Sequence, residues 1–230
     1  MNPDNIIYQV AVWLIPLVIA IVFHEVAHGY VASLLGDQTA RKSGRLTLNP
    51  IRHVDPVGTV ILPLILAIVH APIFGWAKPV PVVASQMRNP RRDMALVAMA
   101  GPASNLILGF VAAIGIGLVA ISNGGALPVA GVVGFLTANL FNFLLINIFL
   151  AIFNMIPLPP FDGGHVLAAV LPRPLALHYA RLERYGFPIM LILLVVLPSL
   201  VPDANVVARV IGPIAEGLTG LFLRTAHAIL

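Results

Sequence analysis

The sequence predicts an all-α, polytopic membrane protein, folded as a single integral-membrane domain over residues 1–230. Three observations carry that expectation. The 230-residue chain is 59% hydrophobic and only 10% charged, whereas a soluble domain carries about 25% charged residues. Its apolar residues gather into six runs, 6–35, 57–73, 94–121, 129–156, 187–201 and 206–223, and a membrane helix needs about 20 mostly apolar residues. Eleven of its 13 Lys and Arg residues fall in three connections between those runs. This composition excludes an ordinary water-soluble enzyme and a disordered chain. The net charge of +4 is read as setting topology and meeting anionic head groups, so no nucleic acid is expected as a partner. The absence of cysteine excludes disulfides, iron–sulfur clusters and thiolate zinc sites.

The first run follows Met1-Asn2-Pro3-Asp4-Asn5, which lacks a positively charged n-region, so it reads as a retained helix and not as a signal peptide. Arg41, Lys42, Arg45 and Arg52 follow it. Lys78, Arg88, Arg91 and Arg92 precede the third run, and Arg173, Arg181 and Arg184 follow the fourth. The positive-inside tendency puts these three stretches in the cytoplasm and the N-terminus outside. A single crossing by 57–73 would separate the first two basic stretches, and Pro63 interrupts that short run. It is therefore expected to be re-entrant or to lie on the membrane surface, which requires shielding by protein or a wet cavity. Residues 75–82, Gly-Trp-Ala-Lys-Pro-Val-Pro-Val, read as a short extended hairpin edge beside that cavity, because their prolines forbid a helix. About five to six transmembrane segments are expected in all. The core spans about 6–170, residues 187–223 add C-terminal membrane helices, and no appended domain is expected.

Within the first run stands His24-Glu25-Val26-Ala27-His28. On a helix of 3.6 residues per turn the two histidines lie about 40° apart, one turn above the other. This is the H-E-x-x-H arrangement, with two imidazoles for one metal ion and Glu25 within reach of a water beside it. Three such groups at membrane depth are costly, about 3 kcal/mol for a charged residue near a helix centre, and a bound dication accounts for all three. Isolated helical histidines are more often structural, but this cluster is not isolated. A catalytic zinc takes three protein ligands and a water. Asp162 is one candidate for the third, because Pro157, Pro159 and Pro160 end the fourth run and Gly163-Gly164 permits a tight turn. His165 is its rival. Asn139, Asn142 and Asn147 in the fourth run read as interhelical hydrogen-bonding groups. Gly109, Gly115 and Gly117 read as sites of close helix packing.

His24-Glu25-Val26-Ala27-His28, Asn154-x-x-Pro157-x-x-x-x-Asp162-Gly163, and Gly101-Pro102-Ala103-Ser104-Asn105 together resemble the site-2 protease family of intramembrane zinc metalloproteases, over about residues 15–170. The resemblance implies a three-helix catalytic core. It implies one Zn2+ per chain held by His24, His28 and Asp162, with Glu25 as general base for a zinc-activated water. Asn154 would help hold the substrate or polarise the scissile carbonyl, and Asn105 is a weaker candidate for support. The expected activity is hydrolysis of peptide bonds in transmembrane substrate segments. The expected partners are such a substrate and the lipid bilayer, with a homo-oligomer left open. The expected location is the plasma membrane, with the active site toward the cytoplasm. Two other readings compete with this one. A metal-ion transporter would want ligands spaced along a path and inverted repeats, and a non-catalytic scaffold would not need Glu25.

Overall fold

The computed structural model describes residues 5–68, 75–192, 197 and 206–230. Its long elements are α1 (Ile6–Leu34), α4 (Pro90–Ser122) and α5 (Gly131–Asn154), and these three are long and apolar enough to cross a membrane. Between α1 and α4 lie the short α2 (Thr39–Lys42) and α3 (Leu62–Ile68). After α5 come α6 (Asp162–Val170), α7 (Arg173–Ala180), α8 (Gly186–Leu191) and α9 (Val206–Ile229). No strand occurs among the described residues.

In hydrocarbon every backbone amide must be satisfied within its own segment, so the apolar runs become helices. The Asn5 side chain caps α1 by accepting from the Ile7 amide at 2.8 Å. The helix ends where Gly36 takes φ +117°, a conformation that favours glycine. Pro90 occupies the first turn of α4, where its missing N–H is not needed. Asp93 caps that turn, accepting from the Asn89 amide at 2.8 Å.

α1, α4 and α5 each pack on the other two. The junction of α4 with α5 and α9 is built from Ala112, Ala113, Ile116, Leu144, Ile148 and Ala226, all buried, with Phe222 packed beside them. Lipid tails are as apolar as these side chains, so the hydrophobic effect does not drive this contact; small residues allow close approach and van der Waals packing instead. Large apolar residues such as Trp13, Leu14, Ile107 and Leu136 remain exposed on the outer faces of the three long helices, as a bilayer-facing belt would be.

The described part of the 57–73 run is helical. Pro56–Ile61 winds as a π-type turn that continues into α3, and residues 69–73 lie outside the described residues. Residues 75–83 form neither helix nor ladder. Pro79 and Pro81 have no N–H to give, and the remaining amides are used singly: Trp76 donates to Gly58 O at 3.2 Å and Lys78 to His53 O at 2.9 Å. The ring of Trp76 lies so close to Gly58 that a Cβ there would overlap it.

Three hydrogen bonds tie element ends together. The Arg88 amide donates to Leu35 O at 3.3 Å, so the end of α1 meets the approach to α4. Arg91, in the first turn of α4, donates from Nη2 to Leu171 O and to Ala168 O, and so caps the C-terminal end of α6. The expected run 187–201 lies largely outside the described residues. The run expected at 206–223 continues to Ile229 as α9, and it packs on α4 and α5.

Candidate metal centre and catalytic cavity

His24 and His28 leave one face of α1 as their spacing predicts, and both are buried. Their rings meet edge to face, with Nε2 of one 3.0 Å from Nε2 of the other. Space for the pair comes from α4. Gly101 faces them with no side chain, and a Cβ there would overlap His28 Nε2 and His24 Cε1.

Asp162 reaches the pair because the chain doubles back after α5. Leu158 donates to Ile156 O at 2.7 Å and Phe161 to Leu158 O at 3.0 Å. Gly163 then sits so tightly against the Met155 and Ile156 carbonyls that a Cβ would collide with both. The first residue of α6 is thereby turned inward. Its Oδ2 lies 3.2 Å from His24 Nε2, and its Oδ1 lies 3.4 Å from His28 Nε2.

The proton positions on the two rings follow from their outer partners. His28 Nδ1 lies 2.7 Å from Val97 O and His24 Nδ1 lies 2.6 Å from Asn105 Oδ1. Carbonyl oxygens only accept, so each Nδ1 carries the proton and each Nε2 presents a lone pair. Two imidazole lone pairs and a carboxylate converge with no donor between them, and Asp162 Oδ2 is buried without a hydrogen-bond partner. A proton relieves one of these contacts; a metal dication accepts from all three donors. Ligands about 2.1 Å from a tetrahedral ion stand about 3.4 Å apart, and the observed separations are 3.0, 3.2 and 3.4 Å. The two-His, one-carboxylate set therefore fits zinc in both chemistry and spacing. His165 also faces the cavity, but among the described residues the cluster of potential ligands contains only His24, His28 and Asp162.

The cluster opens on a cavity of about 520 Å³ whose wall includes Glu25, Val80, Asn154, Phe161 and His165. Glu25 is half-buried, and its Oε2 accepts from the Val80 amide at 2.8 Å. Gly29, one turn beyond Glu25, lets this contact form, since a Cβ there would come within 2.6 Å of Val80 Cγ1. Two buried charged groups hold the rest of the extended segment. Arg45 donates to Lys78 O at 2.7 Å and to Pro79 O at 3.3 Å. Asp37 accepts from the Val83 amide at 2.6 Å and from the Thr39 amide at 2.9 Å. Burial alone would push the Asp37 carboxyl up; the Thr39 hydroxyl and the two amides outweigh that and hold it below its ordinary range.

Asn154 stands at the end of α5 on the cavity wall, its Nδ2 donating to Leu150 O at 3.0 Å. Of the three earlier asparagines on α5, Asn142 crosses to Val12 O on α1 at 2.7 Å. Asn147 reaches Asn105 on α4 at 2.8 Å. Asn139 departs from expectation: its Nδ2 returns to Phe135 O one turn back on its own helix, and its Oδ1 is buried without a partner. Sequence reasoning did not separate Asn147 from its neighbours. The available signal was its spacing: Asn147 is seven residues, two turns, before Asn154 and shares its face.

The model of peptidase family M50 matches residues 116–197. YwhC of Bacillus subtilis, a candidate zinc metalloprotease by its name, is 38% identical over 182 residues, 79% of this chain and 78% of that protein. Rip2 of Mycolicibacterium smegmatis, likewise named as a candidate zinc metalloprotease, is 28% identical over 192 residues, 82% of this chain and 67% of that protein. No solved structure matches.

Proposed function

The chain belongs to peptidase family M50, the zinc metalloendopeptidases of the site-2 protease type, and from that premise we propose that it hydrolyses peptide bonds inside transmembrane segments of other proteins. The observation that carries this reading is the convergence of three metal-type donors, His24, His28 and Asp162, beside the Glu25 carboxylate. These three are the proposed ligands of one zinc ion per chain. Zinc in such a site polarises a peptide carbonyl and makes a water acidic enough to attack it near neutral pH.

The protein's own residues do the remainder. Glu25 takes the proton of the attacking water and delivers it to the leaving amine. Its bond to the Val80 amide holds the carboxylate at the cavity wall. Asn154 has a second amide hydrogen free to donate to the substrate carbonyl as negative charge develops there. A helical substrate has its carbonyls engaged, so it must unwind before attack, and residues 75–82 offer an extended edge for the unwound strand.

The active site faces the cytoplasm of a plasma-membrane protein in this reading. The Leu35–Arg88 and Arg91–Leu171 bonds support it, because they gather the three basic stretches at one end of the bundle, as the positive-inside tendency asks. The same bonds support a 57–73 segment that returns to the side it left. The proposed domain is the whole of 1–230, with 187–223 added to the core.

The decisive experiment reconstitutes the protein with single-span model substrates and measures fragment masses. Cuts within the apolar stretch are expected. Cuts confined to the flanking soluble residues would overturn the intramembrane reading.

A further inference from the structure

Resting on the ligand set proposed above, we infer that Asn147 is a positioning residue for the metal centre: acting through Asn105, it fixes which nitrogen of His24 carries the proton. Both asparagines are fully buried. An amide side chain presents an acceptor on one side and a donor on the other, and only its neighbours decide which way it faces. Three bonds set the order. Asn147 Nδ2 donates to Phe143 O at 2.8 Å. Asn147 Oδ1 then accepts from Asn105 Nδ2 at 2.8 Å. Asn105 Oδ1 is left to accept from His24 Nδ1 at 2.6 Å.

The Phe143 carbonyl belongs to the backbone of α5 and has no donor form. Turning either amide over would set donor against donor or acceptor against acceptor along the chain. Asn105 also donates to Ala20 O, but at 3.4 Å, a long bond that holds it weakly. Asn147 is thus the main lock on Asn105. With the lock in place, His24 Nε2 keeps its lone pair toward Asp162 and His28. Without it, Asn105 can turn and present its amide nitrogen to His24 Nδ1. The ring proton then moves to Nε2, and that tautomer cannot bind a cation at the cluster.

The test uses the full chain in detergent, with zinc itself as probe and a competing chelator to read affinity. Wild type, Asn147→Leu, Asn105→Leu, the double variant and His24→Ala are compared. Nitrogen-15 spectra of the histidine rings are recorded on the metal-free protein. Asn147→Leu should bind zinc about 10–100-fold more weakly, the usual effect of removing a group that orients a ligand. The double variant should be no weaker than Asn105→Leu alone, since one residue acts through the other. Wild-type His24 should carry its proton on Nδ1, and Asn147→Leu should show a mixture. Unchanged affinity in Asn147→Leu, additive losses, or an Nε2 proton on wild-type His24 would each overturn the inference. If Asn147→Leu does not fold, the smaller Asn147→Ser replaces it with the same expected loss of affinity and mixed His24 spectrum, and wild-type behaviour in it overturns the inference. Zinc binding by His24→Ala at wild-type affinity would instead overturn the ligand set, leaving the spectrum to judge the relay.

Discussion

The carboxylate of Glu25 and the backbone amide of Val80, 55 residues apart in the chain, are joined by a 2.8 Å hydrogen bond at the wall of the cavity beside His24 and His28. A bond from a backbone N–H needs only an acceptor oxygen. Glu25→Gln keeps one, so the geometry of the extended segment should survive while the base is lost. We expect zinc content to stay at the wild-type level and cleavage of a model substrate to fall about 10²–10⁴-fold. Metal analysis and a fragment assay on the same preparation check this, and proteolysis at the wild-type rate would remove Glu25 from the role of base.

Gly101→Ala should abolish zinc binding without unfolding α4. Alanine in a helix interior is favoured over glycine by about 1 kcal/mol, so the substitution helps the helix in isolation. The damage is local, because the added Cβ overlaps both imidazoles. Circular dichroism and metal analysis together read the two effects. Bound zinc at the wild-type level would mean the histidines sit elsewhere.

Asp162→Ala and His165→Ala discriminate the third ligand. Only Asp162 lies with the histidine pair, so its removal should strip zinc from the protein, whereas His165→Ala should retain about one ion per chain. Reversal of the two results would move the ligand role to His165.

Asp37→Asn should lower thermal stability near neutral pH by about 2 kcal/mol, the order expected when hydrogen bonds to a buried charged acceptor are weakened. The folded carboxyl is held below its ordinary value. Its contribution is therefore fully present above the unfolded pKa of about 3.9 and is lost as pH falls through the folded value. Melting curves of wild type and variant should differ at pH 7 and converge on acidification below about pH 4. A difference that persists unchanged in acid would assign the effect to packing.

Topology can be read without background labelling, because the natural chain has no cysteine. A cysteine placed at Ser43 should react with an impermeant maleimide only from the cytoplasmic side, and one at Asn123 only from the opposite side. Both sites are exposed. Labelling of both from one side would overturn the proposed arrangement of α1 and α4.

The sequence made the long helices legible because membrane helices are specified by local composition. The 6–35, 94–121 and 129–156 runs became α1, α4 and α5 with ends shifted by a few residues. The histidine pair was legible for the same reason, since spacing of four on one helix fixes its geometry. Asp162 and His165 could not be separated by residue reading alone. Their difference lies in the packing of Gly163 against the Met155 and Ile156 carbonyls, a contact that spacing does not encode. Residues 75–82 were legible as non-helical, because proline forbids a helix, but their hydrogen-bond partners on α1 and near Gly58 are set by tertiary packing. Asn147 looked like its neighbours because its partner lies on another helix, 42 residues away.

The two histidines and the aspartate sit on α1 and α6, at opposite ends of the core sequence. A nascent chain threads α1 into the bilayer long before the ribosome reaches Asp162. Until then the proposed site has its two imidazoles and Glu25 but lacks the aspartate ligand. On that ligand set, the doubling back after α5 makes the metal site the last part of the core to assemble. On the proposed ligand set the metal site is complete only once α6 docks, and chains that stop short of Asp162 should hold no zinc there.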